Sequence, residues 1–501
     1  MDLEALLKQF FDHDEFRPGQ KETVESLLQG KHTLAMLPTG TGKSLCYQLA
    51  GYASEGAVLI VSPLLSLMQD QVEQMMMRGE KRAVAINSFL SRSEKRHVLN
   101  GLHRYKFIFI SPEMLTVDFV IKRLASLHVS LFVIDEAHCI SQWGYDFRPD
   151  YQRLGEIRIR LGDPLTLALT ATATSEVRKD IIQSLKIAEM NQIVFSVDRP
   201  NITLAAEHVE DFRFKQERLF HYATLLKGPG IIYFSSKRLA EQMAQFLRDK
   251  GIAKVMPYHG GMEQEDRILV QQQFLLGQLD IICATSAFGM GINKDNIRFV
   301  IHYHMPIQLE SYLQEIGRAG RDGKASVAIL LYSSGDEQLS AQLAEKELPS
   351  GAQLHRLESW LIESGRTAPE HDLSAEEIIR FCGFTEIQWR ITKKYLLDGF
   401  HAKLPLKETI ARLAVFSNAR AKFKSRKIEE MKKWVDGHSC RRKAILDYFS
   451  EATSLPAANC CDACGFDLHH FENTIENEIQ PNKETSGTDE WRKLLAEMLL
   501  K

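Results

Sequence analysis

Thr33-Leu34-Ala35-Met36-Leu37-Pro38-Thr39-Gly40-Thr41-Gly42-Lys43-Ser44 is a short apolar run that breaks into a glycine turn and opens onto helix-forming sequence. A loop of this kind between strand and helix aims backbone N–H groups at phosphate oxygens, and the helix N-terminus adds its dipole. Thr39, Gly40, Thr41 and Gly42 form the cradle, Lys43 neutralises the β- and γ-phosphates, and Ser44 holds Mg²⁺. The usual spacing puts glycine at position 37, where this chain has Leu37. Support comes from Ile134-Asp135-Glu136 at the end of a later apolar run. Asp135 can complete the Mg²⁺ shell, and Glu136 can polarise an attacking water. Together the two motifs point to ATP and Mg²⁺.

Outward from this loop the chain alternates strands with helical patterns. Unbroken apolar runs recur at residues 33–37, 57–61, 107–110, 131–134 and 165–169, then at 231–234, 254–256, 281–283, 299–301 and 327–330. Such runs belong to parallel sheets covered on both faces. The expected fold class is therefore α/β, with one layer over 1–205, a second over 206–345, and a cleft between them. Beyond Glu345 the strand signal stops. Residues 346–405 read as a helical module. Ser374 begins a capping box, Gly383 breaks the pattern, and Thr385 opens a further helix. Helix, glycine turn and helix suggest a helix-turn-helix or winged-helix-like module, with a plain αα-hairpin as the alternative. Its second helix is expected to expose Gln388, Arg390, Lys393 and Lys394 to nucleic acid. Residues 406–470 are basic, helical and cysteine-bearing. Residues 471–501 read as a polar linker and a terminal amphipathic helix with Trp491, Leu494, Leu495, Met498 and Leu499 on one face.

Composition narrows the class. The 501 residues are 44% hydrophobic and 25% charged, which excludes collagen-like, disordered and small disulfide-scaffold proteins. No apolar run nears the roughly 20 residues of a membrane span, so no membrane partner is expected. Met1-Asp2-Leu3-Glu4 carries acid where a signal peptide carries base, so the expected location is the cytoplasm, or the nucleoid in a bacterium. The net charge of −3 hides an uneven distribution: residues 390–443 hold 16 Lys/Arg against 5 Asp/Glu, while residues 465–501 hold 4 against 8. A basic stretch of that density suits a polyanion or a solvated helical face. Cys46, Cys139, Cys283 and Cys382 are scattered among apolar residues, whereas Cys440, Cys460, Cys461 and Cys464 share one window, as a metal site in a reducing compartment would have it.

Asp135-Glu136-Ala137-His138 with Leu169-Thr170-Ala171-Thr172-Ala173 resembles the superfamily-2 helicases, and Gln314-Glu315-Ile316-Gly317-Arg318-Ala319-Gly320-Arg321 extends the likeness to the second layer. Three further stretches resemble the RecQ family of DNA helicases: Phe16-Arg17-Pro18-Gly19-Gln20, the run from Cys139 to Pro149, and Ala287-Phe288-Gly289-Met290-Gly291-Ile292-Asn293-Lys294. The likeness covers about residues 1–340 and resumes at Cys440. It implies two tandem RecA-like domains, followed by a helical and zinc-binding region, forming an ATP-dependent DNA helicase of 3′→5′ polarity. Repair, recombination or replication of DNA would be its setting. A DEAH-type RNA helicase and a DNA translocase that leaves strands paired are the alternatives.

The resemblance also carries residue roles. Gln20 would read the adenine edge and Arg17 support the base or phosphates, while His13 stands where the family usually has tyrosine. Trp143, Phe147 and Arg148 would combine π faces with a cation on single-stranded DNA. His138 would link the nucleotide site to those contacts. Gln314 would orient water or sense the γ-phosphate. Arg318 and Arg321 would face the transferring phosphoryl group, Arg321 foremost. Lys393 and Lys394 would touch duplex DNA. Cys440, Cys460, Cys461 and Cys464 resemble the family's zinc ligands, although the adjacent Cys460-Cys461 departs from the pattern and leaves His438, His469 or His470 as substitutes. With 37 residues after Cys464, the chain resembles a short form without the winged-helix and HRDC domains of longer members. A monomer with a single-strand-binding or repair protein as partner is the expected assembly.

Overall fold

The computed structural model describes residues 2–87, 90–141, 148–289, 294–363, 375–452 and 459–472. Two parallel sheets dominate it. The first contains β1 (Thr33–Met36), β2 (Ala57–Val61), β3 (Ala83–Ile86), β4 (Phe107–Ile110), β5 (Val129–Ile134), β6 (Leu165–Thr170) and β7 (Asn191–Val194) in the order β3-β4-β2-β5-β6-β1-β7. The second contains β8 (Ile202–Val209), β9 (Gly230–Tyr233), β10 (Val255–Tyr258), β11 (Ile281–Ala284), β12 (Phe299–His302) and β13 (Ser326–Ser333) in the order β10-β11-β9-β12-β13-β8.

The central strands are buried end to end because consecutive side chains enter different cores. Val58, Ile60, Phe107, Phe109, Leu131 and Val133 pack into one cluster. Their neighbours Leu59, Val61, Ile108, Ile110, Phe132 and Ile134 pack into another. Period-two alternation between two apolar layers reads in sequence as an unbroken run. The second cluster continues through Leu204, Tyr312, Trp434, Ile445 and Cys461, so one apolar core joins both layers to the cysteine module.

The expected division at 205/206 cuts through β8, which pairs along its whole length with β13. The second layer therefore starts at Ile202, and the chain crosses between layers over residues 195–201.

Seven helices matter to the site. α1 (Lys43–Tyr52) follows the phosphate loop, and α2 (Leu309–Ile316) precedes Arg318 and Arg321. The C-terminal region comprises α3 (Gly351–Glu363), α4 (Ala375–Cys382), α5 (Glu386–His401), the 31-residue α6 (Leu406–Asp436) and α7 (Arg441–Tyr448). No helix among the described residues is long and apolar enough to cross a membrane. Ser374, Trp143, Phe147, Met290 to Asn293 and the proposed terminal helix lie outside the described residues.

Gln388 is not exposed, contrary to the expectation from spacing. It closes a capping box with Thr385, and its amide donates to the Leu348 carbonyl at 2.9 Å. A long polar side chain near a helix start satisfies backbone groups locally, and here that need takes Gln388 into the module's interior.

Candidate active site

The phosphate loop departs from β1 in a way that explains its unusual first position. The Leu37 N–H still donates to the Thr170 carbonyl at 3.0 Å, as an extended strand residue. Its side chain is fully buried, so this position takes an apolar residue rather than a glycine. The turn itself needs glycine at Gly40 (φ 86°) and Gly42 (φ 74°). A Cβ on Gly40 would also sit 2.7 Å from Cγ of Arg321, which arrives from the second layer.

Arg17 and Gln20 hold this loop from outside. The Arg17 guanidinium donates to the Gly40 carbonyl at 2.5 Å. The Gln20 amide donates to Thr41 at 2.6 Å and Gly42 at 3.1 Å, and its oxygen accepts from the Arg17 N–H at 2.9 Å. The amide expected to read adenine is thus engaged with the loop backbone. Both residues still border a cavity shared with His13, Lys43, Ser44 and Arg321.

Asp135 and Glu136 follow the end of β5. Burial pushes the Asp135 carboxyl above its usual range, and the nearby Lys43 ammonium opposes that shift. Glu136 adopts left-handed backbone geometry (φ 49°), uncommon for a non-glycine residue. Its carboxylate is buried and lies 3.4 Å from His138 Nδ1. The same imidazole nitrogen is 3.0 Å from Thr170 Oγ1, linking the acidic turn to the end of β6.

The second layer completes the wall. Gln314, Arg318 and Arg321 line one cavity with Thr39, Gly40, Lys43, Ser44, Asp135 and Glu136. Arg318 is buried and donates to the Gly289 carbonyl. Burial, with Arg318 beside it, pulls the Arg321 guanidinium down to about 10. It remains charged near neutral pH, in a cation-rich recess that an arriving polyphosphate would relieve. A carboxylate (Asp135) and a hydroxyl (Ser44) at one cavity fit a hard divalent cation, and Lys43 beside them fits the phosphates that would carry it.

Sequence reasoning does not find Arg199. It stands between the two layers, and its guanidinium donates to carbonyls of both Thr39 and Gly317. Asp198-Arg199-Pro200-Asn201 reads locally as a polar turn, and no spacing links it to the loop 160 residues earlier.

The four clustered cysteines meet. Their Sγ atoms all lie within 4.8 Å of one another, with Cys440 and Cys460 at 3.6 Å and Cys440 and Cys461 at 3.9 Å. A tetrahedral zinc with Zn–S near 2.3 Å has sulfur–sulfur edges of roughly 3.8 Å, so this set fits the ion. Burial pushes the Cys440 thiol up, but the Lys443 N–H and the neighbouring thiols carry it below its ordinary value. The Arg441 N–H also points at Cys461 Sγ (3.4 Å), as thiolate ligands require. His469 instead pairs with Glu472 at 2.8 Å. Adjacent Cys460 and Cys461 are accommodated because Leu204 of β8 bonds to the backbone on both sides, donating to the Cys460 carbonyl and accepting from the Asp462 N–H.

The expected DNA-facing residues are more dispersed. Arg148 donates to the Pro63 carbonyl at 2.7 Å, at the loop after β2. Lys393 is exposed on α5, whereas Lys394 donates to Gln152 of the first layer at 2.8 Å.

Comparison with known proteins places these features together. Residues 17–181 match the DEAD/DEAH box helicase model, 215–323 the helicase conserved C-terminal domain, and 407–465 the RecQ zinc-binding domain. A Bacillus subtilis protein described as a probable ATP-dependent DNA helicase RecS is 45% identical over 472 residues, spanning 94% of this chain and 93% of its own. The Haemophilus influenzae ATP-dependent DNA helicase RecQ is 40% identical over 71% of this chain, which covers only 58% of that protein. Among solved structures, the helicase MrfA bound to DNA superposes with a TM-score of 0.57 at 17% identity, over 66% of this chain and 51% of its own, a likeness of fold.

Proposed function

This chain belongs to the RecQ family of superfamily-2 helicases, and we propose from that premise that it travels 3′→5′ along one DNA strand and separates the duplex ahead. It is an ATP-hydrolysing DNA helicase with two RecA-like domains and a zinc-binding module. The observation that carries the mechanism is the cavity walled by Lys43, Asp135 and Glu136 from the first domain and Gln314, Arg318 and Arg321 from the second.

Lys43 neutralises the β- and γ-phosphates, and Ser44 with Asp135 would hold the nucleotide's Mg²⁺. That ion, when bound, offsets charge on the phosphate oxygens. Glu136 orients and deprotonates the attacking water, while Arg321 stabilises charge on the γ-phosphoryl group and Gln314 senses its presence. Arg318, held on Gly289, is a second cation of that domain facing the same γ-phosphoryl group. His138, between Glu136 and Thr170, passes the state of the acidic turn to β6 and from there towards the DNA-facing segments. ATP draws the domains together, hydrolysis releases them, and alternating grip on single-stranded DNA yields net travel. Trp143, Phe147 and Arg148 supply that grip in this reading, and Lys393 with its neighbours on α5 steadies the duplex arm. Repair, recombination or replication would present such tailed duplexes, and a single-strand-binding or repair protein would meet the enzyme there.

Fluorescent DNA duplexes with either a 3′ or a 5′ single-stranded tail test the reading in the presence of ATP and Mg²⁺. Opening of the 3′-tailed DNA alone is expected, and Lys43→Ala should abolish both opening and DNA-stimulated ATP hydrolysis while preserving the fold. Opening of the 5′-tailed DNA alone overturns the polarity. Preference for RNA duplexes favours an RNA helicase, and intact DNA-stimulated hydrolysis without opening of either tail favours a translocase.

A further inference from the structure

The crossing between the two domains is gripped by arginines on both sides. Arg199 Nη1 donates to the Thr39 carbonyl of the phosphate loop (3.1 Å) and to Gly317 (3.0 Å). Nη2 donates to Ala319 (3.0 Å) and Gly320 (2.7 Å). Gly317 caps the C-terminus of α2, where unsatisfied carbonyls carry partial negative charge. A planar guanidinium has the donors to face both domains at once, whereas an ammonium is a compact point charge. Asn201 reinforces the contact by donating to Gly320 at 2.8 Å and Lys324 at 3.0 Å.

Arg442, two residues after Cys440, holds the same crossing from behind. It pairs with the Asp198 carboxylate, both side chains being largely buried. It also donates to the Arg199 carbonyl at 3.0 Å and the Ile202 carbonyl at 2.6 Å. The zinc module therefore fixes the main chain from which the Arg199 side chain reaches the phosphate loop. A small cavity bordered by Thr39, Thr172, Leu313, Ile445 and Leu446 adjoins these contacts.

We infer that Arg199 is a positioning residue for ATP hydrolysis, setting Arg321 against the phosphate loop, and that Arg442 makes the zinc module the support of this latch. The inference rests on the helicase reading above. Arg199 touches carbonyls rather than the reacting atoms; without it Arg17 and Gln20 still hold the Gly40, Thr41 and Gly42 carbonyls of the cradle, while the approach of Arg321 is disturbed. The cost falls on turnover rather than on nucleotide binding.

Steady-state hydrolysis by the full chain, with saturating single-stranded DNA and varied ATP, tests this. Arg199→Ala should lower kcat by roughly tenfold or more while KM for ATP stays within about threefold. Arg199→Lys should not restore kcat. Arg442→Ala should shift kcat in the same direction by a smaller factor, with zinc content and single-strand affinity retained. Small-angle scattering with a non-hydrolysable ATP analogue should show a more open Arg199→Ala chain than the parent. An unchanged kcat in folded Arg199→Ala overturns the inference, as does a loss confined to KM. Should Arg199→Ala fail to fold, Arg442→Ala decides: unchanged kcat with zinc retained overturns the inference. A parent chain without DNA-stimulated hydrolysis would instead sink the functional reading.

Discussion

At the scale of single residues, the junction of the domains is set by atoms that cannot be enlarged. A Cβ on Gly317 would stand 1.9 Å from Thr39 Oγ1. Its φ of −63° is ordinary, so alanine there is not strained by backbone geometry. The closest obstacle is Thr39 of the facing domain, with the Leu313 carbonyl of α2 itself next at 2.9 Å. Gly317→Ala should therefore fold normally but hold α2 away from the phosphate loop, lowering kcat by roughly tenfold to a hundredfold, as displacements near 1 Å do at a catalytic site. DNA-stimulated hydrolysis beside a thermal melt checks it, and parental kcat in a stable variant would show that the domains close without this contact. Residues of this kind are legible only in part. Lys43, Asp135, Glu136, Gln314, Arg318 and Arg321 stood out through motifs, and all of them line one cavity. Arg199 did not, because its partners lie 160 and about 120 residues away and are main-chain carbonyls, which any sequence supplies.

At the scale of elements, α2 is the part that must move as a unit, and a buried polar triad grips its start. Lys427 of α6 lies 2.9 Å from Glu310 of α2, and the Tyr448 hydroxyl of α7 donates to the same carboxylate at 2.6 Å. Lys427 also donates to that hydroxyl. Tyr312 packs on Trp434 with ring centroids 4.9 Å apart. Lys427 and Glu310 are both nearly fully buried, so solvent screens their attraction little. Lys427→Met keeps the apolar stem but leaves Glu310 without its cation, and should destabilise the C-terminal region by roughly 3–5 kcal/mol. Urea unfolding followed by tryptophan fluorescence reads this, and Glu310→Gln in the same background should recover part of the loss. The same scale explains which elements the sequence announces. Strands walled on both faces, such as β2 and β4, appear as plain apolar runs. β7 is an edge strand with exposed side chains at Asn191, Gln192 and Val194, so its sequence carries no such run. β8 mixes Thr203, Glu207 and His208 with apolar residues because its outer edge receives the cysteine module rather than another strand. Gln388 misleads for a related reason: helical spacing assigns it to the outer face, but a capping role is decided by which backbone groups lie nearby.

At the scale of the whole molecule, the helical module of residues 346–405 is tied to the first domain rather than held apart from it. Lys394 meets Gln152 in the turn that follows the Gln142–Phe147 segment. Burial lowers the Lys394 ammonium below its ordinary range, with Asp398 and Asp150 opposing that shift. Arg390 and Lys393 remain exposed on α5, beside the face that meets the first domain. In the proposed reading, phosphate contact falls to these two exposed side chains more than to Lys394, which is engaged with Gln152. Reversing both charges, Arg390→Glu with Lys393→Glu, removes two counterion-releasing contacts. Affinity for forked DNA should fall, and the slope of log affinity against log salt should shrink by roughly 2, while plain single-stranded DNA binds as before. Fluorescence anisotropy across a salt series measures both quantities. Equal weakening on single-stranded and forked DNA would place these residues on the single-strand track, and no change on either would leave the module as a brace for the first domain. A brace without DNA contact would still answer to Lys394→Ala, which breaks the Gln152 bond and should lower stability without altering the salt slope.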